Sequence, residues 1–174
     1  SDPFELFKAL KASIEFKNSV YIRLTAGSNT KIINSKDYDF KIGKAIEILP
    51  GNDVAIIGCG NILGNCLTAA SVLKKKNIDC SVVNMHTIKP IDEEKIKKIS
   101  ENYKLVVTVE EHNIIGGLGS AVAEVLSGTK SNCKLVRIGI NDFYSHGGSY
   151  EYLKNIYGLS SEKIVETVVS NLNK

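Results

Sequence analysis

The sequence predicts an α/β domain of three layers, with helices on both faces of a mostly parallel five-stranded sheet that contains one antiparallel strand. Three observations carry this. From residue 40 onward, short apolar runs alternate with stretches of helical period. Two of those runs, Val54–Ile57 and Leu105–Val109, are apolar at every position but Thr108, as in strands covered on both faces. The segments 45–49 and 54–57 are joined by Pro50-Gly51-Asn52-Asp53, a turn too short for a crossover. That turn predicts a hairpin-like adjacent pair and makes 45–49 the strand that runs against the others.

The elements follow in order. Asp2-Pro3 reads as a helix start, and Phe4, Phe7, Leu10 and Ile14 recur at helical spacing, so residues 3 to about 17 form an amphipathic helix. Val20–Leu24 reads as a short strand. Residues 25–39 carry Gly, Ser, Asn, Thr, Lys and Asp without a sustained period, which marks a linker containing a domain boundary. After the strands 45–49 and 54–57 comes a helix over 61–76, with Ile62, Cys66, Ala69, Ala70 and Leu73 on one face. Ser81–Met85 is a strand, Asp92 to about Asn102 a helix, Leu105–Val109 a strand, Ala121–Leu126 a helix and Lys134–Ile140 a strand. Two short helices near 149–157 and 160–172 close the chain, the second capped by Ser160.

Composition narrows the function classes. The 174 residues suffice for one domain with a core, and 43% apolar with 24% charged residues is ordinary for a soluble globular chain. The net charge of +3 comes without a basic stripe, which argues against a nucleic-acid partner. No apolar run reaches membrane-spanning length. Cys59, Cys66, Cys80 and Cys133 form no Cys-x-x-Cys pair, and three of them sit in apolar runs or on helical faces. Free thiols and a cytoplasmic setting are the expectation.

Two strand ends hold the candidate chemistry. Gly58-Cys59-Gly60-Asn61-Ile62-Leu63-Gly64 joins a strand to a helix, where backbone N–H groups and the helix dipole favour an anion. Gly58, Gly60 and Asn61 are therefore possible anion-binding residues. The spacing is one residue too long for the dinucleotide fingerprint, and Asn84-Met85-His86 ends the next strand where that fingerprint calls for an acid. A tight strand-to-helix turn accounts for the glycines better than nucleotide binding does. At the other end, Glu110-Glu111-His112 is followed by Gly116-Gly117-Leu118-Gly119-Ser120. Two carboxylates beside an imidazole suit acid–base work or a metal, although consecutive strand residues point to opposite faces. The same residues also suit hydrogen bonding at a subunit or domain contact, with Gly116, Gly117 and Gly119 permitting close approach. His86 and the acidic start at Asp92 read as structural, and His146, in the loop Ser145-His146-Gly147-Gly148, reads as solvated or at an interface.

These pieces resemble the transketolase family. Val83-Asn84-Met85-His86-Thr87-Ile88-Lys89-Pro90-Ile91-Asp92 and Val107–Ser120 are similar to two recognisable segments of its C-terminal domain. Phe40–Ala45, Gly51–Ile57 and Tyr157–Ile164 fit as well. The likeness extends to split transketolases of two chains, to 1-deoxyxylulose-5-phosphate synthase and, more loosely, to β subunits of 2-oxo acid dehydrogenases.

The resemblance implies residues 1–24 as the tail of a pyrimidine-binding domain, 25–39 as a linker and 40–174 as the C-terminal domain. It implies a chain trimmed from a longer one, and a complete enzyme that transfers two-carbon ketol units through thiamine diphosphate and Mg2+. Neither is expected to bind this chain, because the Gly-Asp-Gly motif with its later Asn is absent and the activating glutamate lies upstream. No catalytic residue is therefore expected here, and the isolated chain is expected to be inactive. The implied partners are the upstream domains or an N-terminal subunit, together with a second copy in a dimer. Glu110, Glu111, His112, Gly116, Gly117 and Gly119 are then interface residues. Ala26 aligns where phosphosugar-using relatives carry arginine, so a substrate without that phosphate is an alternative. The rival from another class is a standalone anion- or nucleotide-binding module without catalysis.

Overall fold

The computed structural model describes residues 1–25, 32–33 and 38–172. Its elements are α1 (Pro3–Glu15), β1 (Ile46–Leu49), β2 (Val54–Gly58), a short 3-10 turn (Gly60–Ile62) leading into α2 (Leu63–Lys74), and β3 (Cys80–Asn84). Then come α3 (Glu93–Asn102), β4 (Leu105–Asn113), α4 (Leu118–Ser127), β5 (Lys134–Ile140), α5 (Tyr150–Ile156) and α6 (Ser161–Leu172). The sheet order is β1-β3-β2-β4-β5. Among the described residues only the β1–β3 pairing is antiparallel; β2 pairs in parallel with β3 and β4, and β4 with β5. The mixed five-stranded sheet expected from the sequence is present.

Its side-chain alternation builds two cores. Val54, Ile56, Val82, Val107 and Val109 face α2 and α6, where Leu63, Cys66, Leu73, Ile164 and Val168 complete one buried cluster. Ala55, Ile57, Val83 and Val106 face the other way, onto Ile96 and Ile99 of α3 and Leu118 and Val122 of α4. Each central strand is thus apolar at successive positions because both its faces are covered.

The pairing of β1 differs from the sequence expectation. β1 and β2 are not neighbours, because β3 lies between them. The Pro50–Asp53 turn therefore steps over the start of β3 instead of closing a hairpin. Gly51 makes the step possible: a Cβ there would lie 2.2 Å from the carbonyl carbon of Cys80 and 2.4 Å from the Ser81 nitrogen. The amides of Asn52 and Asp53 both donate to the Asp79 carbonyl, at 3.1 and 2.8 Å. The Asp53 carboxylate accepts the Asp79 N–H at 2.6 Å. A short turn reverses the chain direction, but it does not by itself decide which strand fills the space beside it.

Residues 20–24 are the second correction. They form no strand, and Tyr21 and Leu24 are exposed. A strand needs a neighbour's backbone to complete its ladder, and none of the described strands runs beside it. Much of the predicted linker, residues 26–31 and 34–37, lies outside the described residues, as does Ala26. β4 continues to Asn113, past the predicted end at Val109, so Glu110 and Glu111 lie within the strand. α4 begins at Leu118, a turn earlier than the apolar period suggested.

α1 is capped by Asp2, whose carboxylate accepts the Glu5 N–H at 2.9 Å. Its orientation is the reverse of an ordinary surface helix. Glu5 is buried, whereas Phe7 and Ile14 are 71% and 84% exposed and Phe4 and Leu10 are also uncovered.

Candidate interface site at the carboxyl edge of the sheet

β2 and β4 are adjacent and parallel, but the connections that leave them diverge. The chain after β2 passes through α2 to β3, and the chain after β4 passes through α4 to β5 on the opposite face. Such a switch point opens a crevice at the carboxyl ends of the strands. The Gly58–Asn61 turn and the Glu110–Gly119 segment both emerge there.

The structure separates the three residues of the Glu-Glu-His group. Glu110 turns toward α4 and is 1% exposed. Its carboxylate accepts the N–H of Leu118 at 2.7 Å and of Gly119 at 2.8 Å. Those are orphan donors of the first helical turn, and the N-cap residue, Gly117, has no side chain to satisfy them. Burial pushes the Glu110 carboxyl above the usual carboxylate range, against the opposing pull of the two amides.

Glu111, one residue on, points to the other face and accepts a hydrogen bond from the Tyr150 hydroxyl at the start of α5. Burial, and then the neighbouring carboxylate, push the Tyr150 phenol upward; the Asn61 side chain acts on it in the opposite direction. The Lys154 ammonium sits 4.5 Å from the Tyr150 ring centroid and pairs with Glu151 at 2.8 Å. His112 is exposed, and its Nδ1 lies 3.4 Å from the adjacent Asn113 carbonyl.

The glycines have distinct reasons. Gly116 has φ of 77°, a region other residues rarely adopt. A Cβ on Gly117 would stand 1.9 Å from Glu110 Oε2, and one on Gly119 would stand 2.8 Å from both Arg137 Cδ and Thr108 Oγ1. Gly116 and His112 remain at the surface, while Gly119 is buried with Glu110.

On the β2 side, Gly58 is the buried last residue of the strand, Gly60 has φ of 74°, and Asn61 lies in the 3-10 turn. The Cys59 thiol is pushed up to about 12, by burial first and then by the charges of Glu110 and Glu111. All four cysteines are free. Among the described residues, no three His, Cys, Asp or Glu side chains gather as metal ligands. A cleft of about 380 Å³ lies elsewhere, lined by Glu47, Ser81, Lys95 and Tyr103 among others; Glu47 is already engaged there by Ser81 and Lys95.

Several supporting residues escaped the sequence analysis. Arg137 Nη1 and Ser120 Oγ both donate to the Ile114 carbonyl, at 3.1 and 2.9 Å, and fix the loop before α4. A Cβ on Gly139 would meet Ile114 Cγ2 at 2.7 Å and the His112 carbonyl at 2.9 Å. A lone glycine inside the strand 134–140 was a readable sign of such an approach. Tyr150, 39 residues from Glu111, left no local sign.

The pattern of the transketolase C-terminal domain matches residues 43–164. The chain belongs to the transketolase C-terminal domain family. It is 40% identical, over its whole length, to a putative transketolase C-terminal section from Methanocaldococcus jannaschii, of which it covers 54%. One of the subunits of an apulose-4-phosphate transketolase from Phocaeicola vulgatus is 33% identical, with 96% of this chain covering 53% of that one. A split-gene transketolase, solved as an inactive β4 tetramer, superposes with a TM-score of 0.76 at 36% identity, over 84% of this chain and 47% of that one. The chain thus spans about half the length of these relatives. The two segments singled out in the sequence, 83–92 and 107–120, both fall inside the matched transketolase domain.

Proposed function

We propose that this chain is the assembly-supporting C-terminal domain of a thiamine-diphosphate-dependent, transketolase-like enzyme that transfers two-carbon ketol units. The observation that carries this reading is the use made of Glu110. The carboxylate best placed for acid–base work is committed to two backbone amides inside the domain, a helix-capping use that supports a structural role for this edge of the sheet. Catalytic groups then belong to the upstream domains or to an N-terminal subunit.

The sequence carries no Gly-Asp-Gly motif with a later Asn, the pattern associated with thiamine diphosphate and Mg2+. The cofactor is assigned to the complete enzyme, and no step of the reaction is assigned to this chain. Helix α1 and the residues up to 24 are assigned to the upstream domain, because the apolar side of α1 faces outward. The interface role narrows to Glu111, His112 and Gly116, which stay at the surface, and a second copy of the chain is the partner across that edge. Free thiols suit a reducing cytoplasm, and no helix among the described residues is long and apolar enough to cross a membrane.

Titration calorimetry with thiamine diphosphate and Mg2+ tests the assignment. The chain alone is expected to show no binding, and ketol transfer is expected only after the upstream portion is restored. Micromolar binding by the chain alone would overturn the proposal and favour a self-contained ligand-binding module.

A further inference from the structure

We propose that the cleft between α3 and the amino edge of the sheet binds a small hydroxylated organic anion, with its phosphate or carboxylate group on Lys98 and a hydroxyl on Glu47.

Strand alternation places the cleft. Val83 faces α3 and α4, so Ser81, two residues earlier on β3, points to the same face. Glu47 comes from β1, Asn52 from the turn before β2, Lys95 and Lys98 from α3, and Tyr103 from the end of that helix. Asn52 and Tyr103 lie just before β2 and β4, so the cleft opens at the amino ends of the parallel strands. The Gly58–Asn61 turn and Glu111 leave the opposite edge. Its volume, about 380 Å³, is that of a pocket for a small metabolite.

The walls are fixed by their own hydrogen bonds. Ser81 Oγ donates to Glu47 Oε1 at 2.9 Å, and Lys95 Nζ donates to Oε2 at 2.8 Å. Burial pushes the Glu47 carboxyl up, but those two donors outweigh it and hold the group below the usual carboxylate range. The Tyr103 hydroxyl donates to the Gly51 carbonyl at 2.6 Å, and Asn52 Nδ2 donates to Asp79 Oδ2 at 3.1 Å. A ligand therefore meets side chains that need little further ordering.

Charge decides the sign of that ligand. One carboxylate and two ammoniums line the cleft, and Lys95 answers Glu47. Lys98 is left over. It feels the charge of Glu94, but the Glu94 carboxylate is held by Lys44 at 2.7 Å. Lys95 and Lys98, three residues apart, share one face of α3, where like charges repel unless an anion stands between them. Phosphate or carboxylate suits such point charges. A cation finds no acid to itself, because both Glu47 oxygens already have donors. Each of those oxygens keeps a further lone pair, which a ligand hydroxyl can use.

Backbone-amide NMR titrations of the chain with glycerol phosphate, glycerate and glycerol test the site. Saturable shifts are expected at residues 51–53 and 95–103 with at least one of the two anions and none with glycerol. A response to glycerol phosphate alone assigns the anion as phosphate, and to glycerate alone as carboxylate. Lys98→Gln alters an exposed side chain and should weaken binding at least about tenfold. Lys75→Gln, at the exposed end of α2, should leave it unchanged. A response to neither anion, an equal response to glycerol, or full affinity in Lys98→Gln would each overturn the proposal. Shifts spread equally over the lysines of α2 would overturn it too, by showing only general ionic attraction.

Discussion

The Glu110 carboxylate occupies the space that a side chain at Gly117 would need: a Cβ there would stand 1.9 Å from Oε2. The two residues act as one cap, glycine making room and glutamate accepting the amides of Leu118 and Gly119. Gly117→Ala is expected to displace the carboxylate and leave buried donors unpaired, lowering unfolding free energy by about 1–3 kcal/mol. Glu110→Ala should cost a similar amount, and the double variant less than the sum. Urea unfolding of the three variants checks this; full additivity would mean that the residues are not coupled.

The connection over β3 supplies a second expectation. Gly51→Ala forces a methyl group against the Cys80–Ser81 backbone, and backbone cannot swing aside as a side chain can. A loss of about 2–4 kcal/mol is expected from this strain. Gly64→Ala is the control, since nothing lies within 4 Å of a Cβ there. Equal stability of the two variants would refute the tight passage.

His86 gives a pH dependence. Burial lowers its pKa below the ordinary value of 6.5, against Glu5, the Lys44 backbone and Asp92, which favour the charged form. The folded state then binds fewer protons than the unfolded state between the ordinary imidazole pKa and the lowered one. Stability should fall as the pH drops through that window and recover as it rises. Thermal unfolding from about pH 7.5 to about pH 5 should show a shallower decline in His86→Phe, which keeps a ring against Phe40. An equal decline would assign the effect to other groups.

Glu111 tests the assembly role. With the upstream portion restored, Glu111→Gln is expected to weaken association of the complete enzyme while turnover per assembled site persists. Tyr150→Phe, which removes the hydroxyl donor to Glu111, should act in the same direction. Sedimentation alongside steady-state kinetics separates the outcomes. An intact assembly whose turnover falls by orders of magnitude would place Glu111 in the active site.

By itself, the sequence determined the alternation of strands and helices, the two-sided burial of Val54–Ile57 and Leu105–Val109, and the presence of one reversed strand. These are local properties: period, apolar continuity and the length of a turn act within a few residues of the chain. The neighbour of β1 was a different matter, because the insertion of β3 depends on residues far along the chain and on the clearance at Gly51. The fate of Glu110, Glu111 and His112 was equally nonlocal. Strand alternation announced that they would part, but only the arrival of α4 on one face and α5 on the other turned one carboxylate into a helix cap and the other into a partner for Tyr150. The helical period of Phe4, Phe7, Leu10 and Ile14 likewise marked an apolar side without saying where it would face. Tertiary structure decided that, because the contact of Glu5 with Asn84 joins residues 79 positions apart and sets the buried side of α1 by hydrogen bonding to a carboxylate, a pairing that no periodicity encodes.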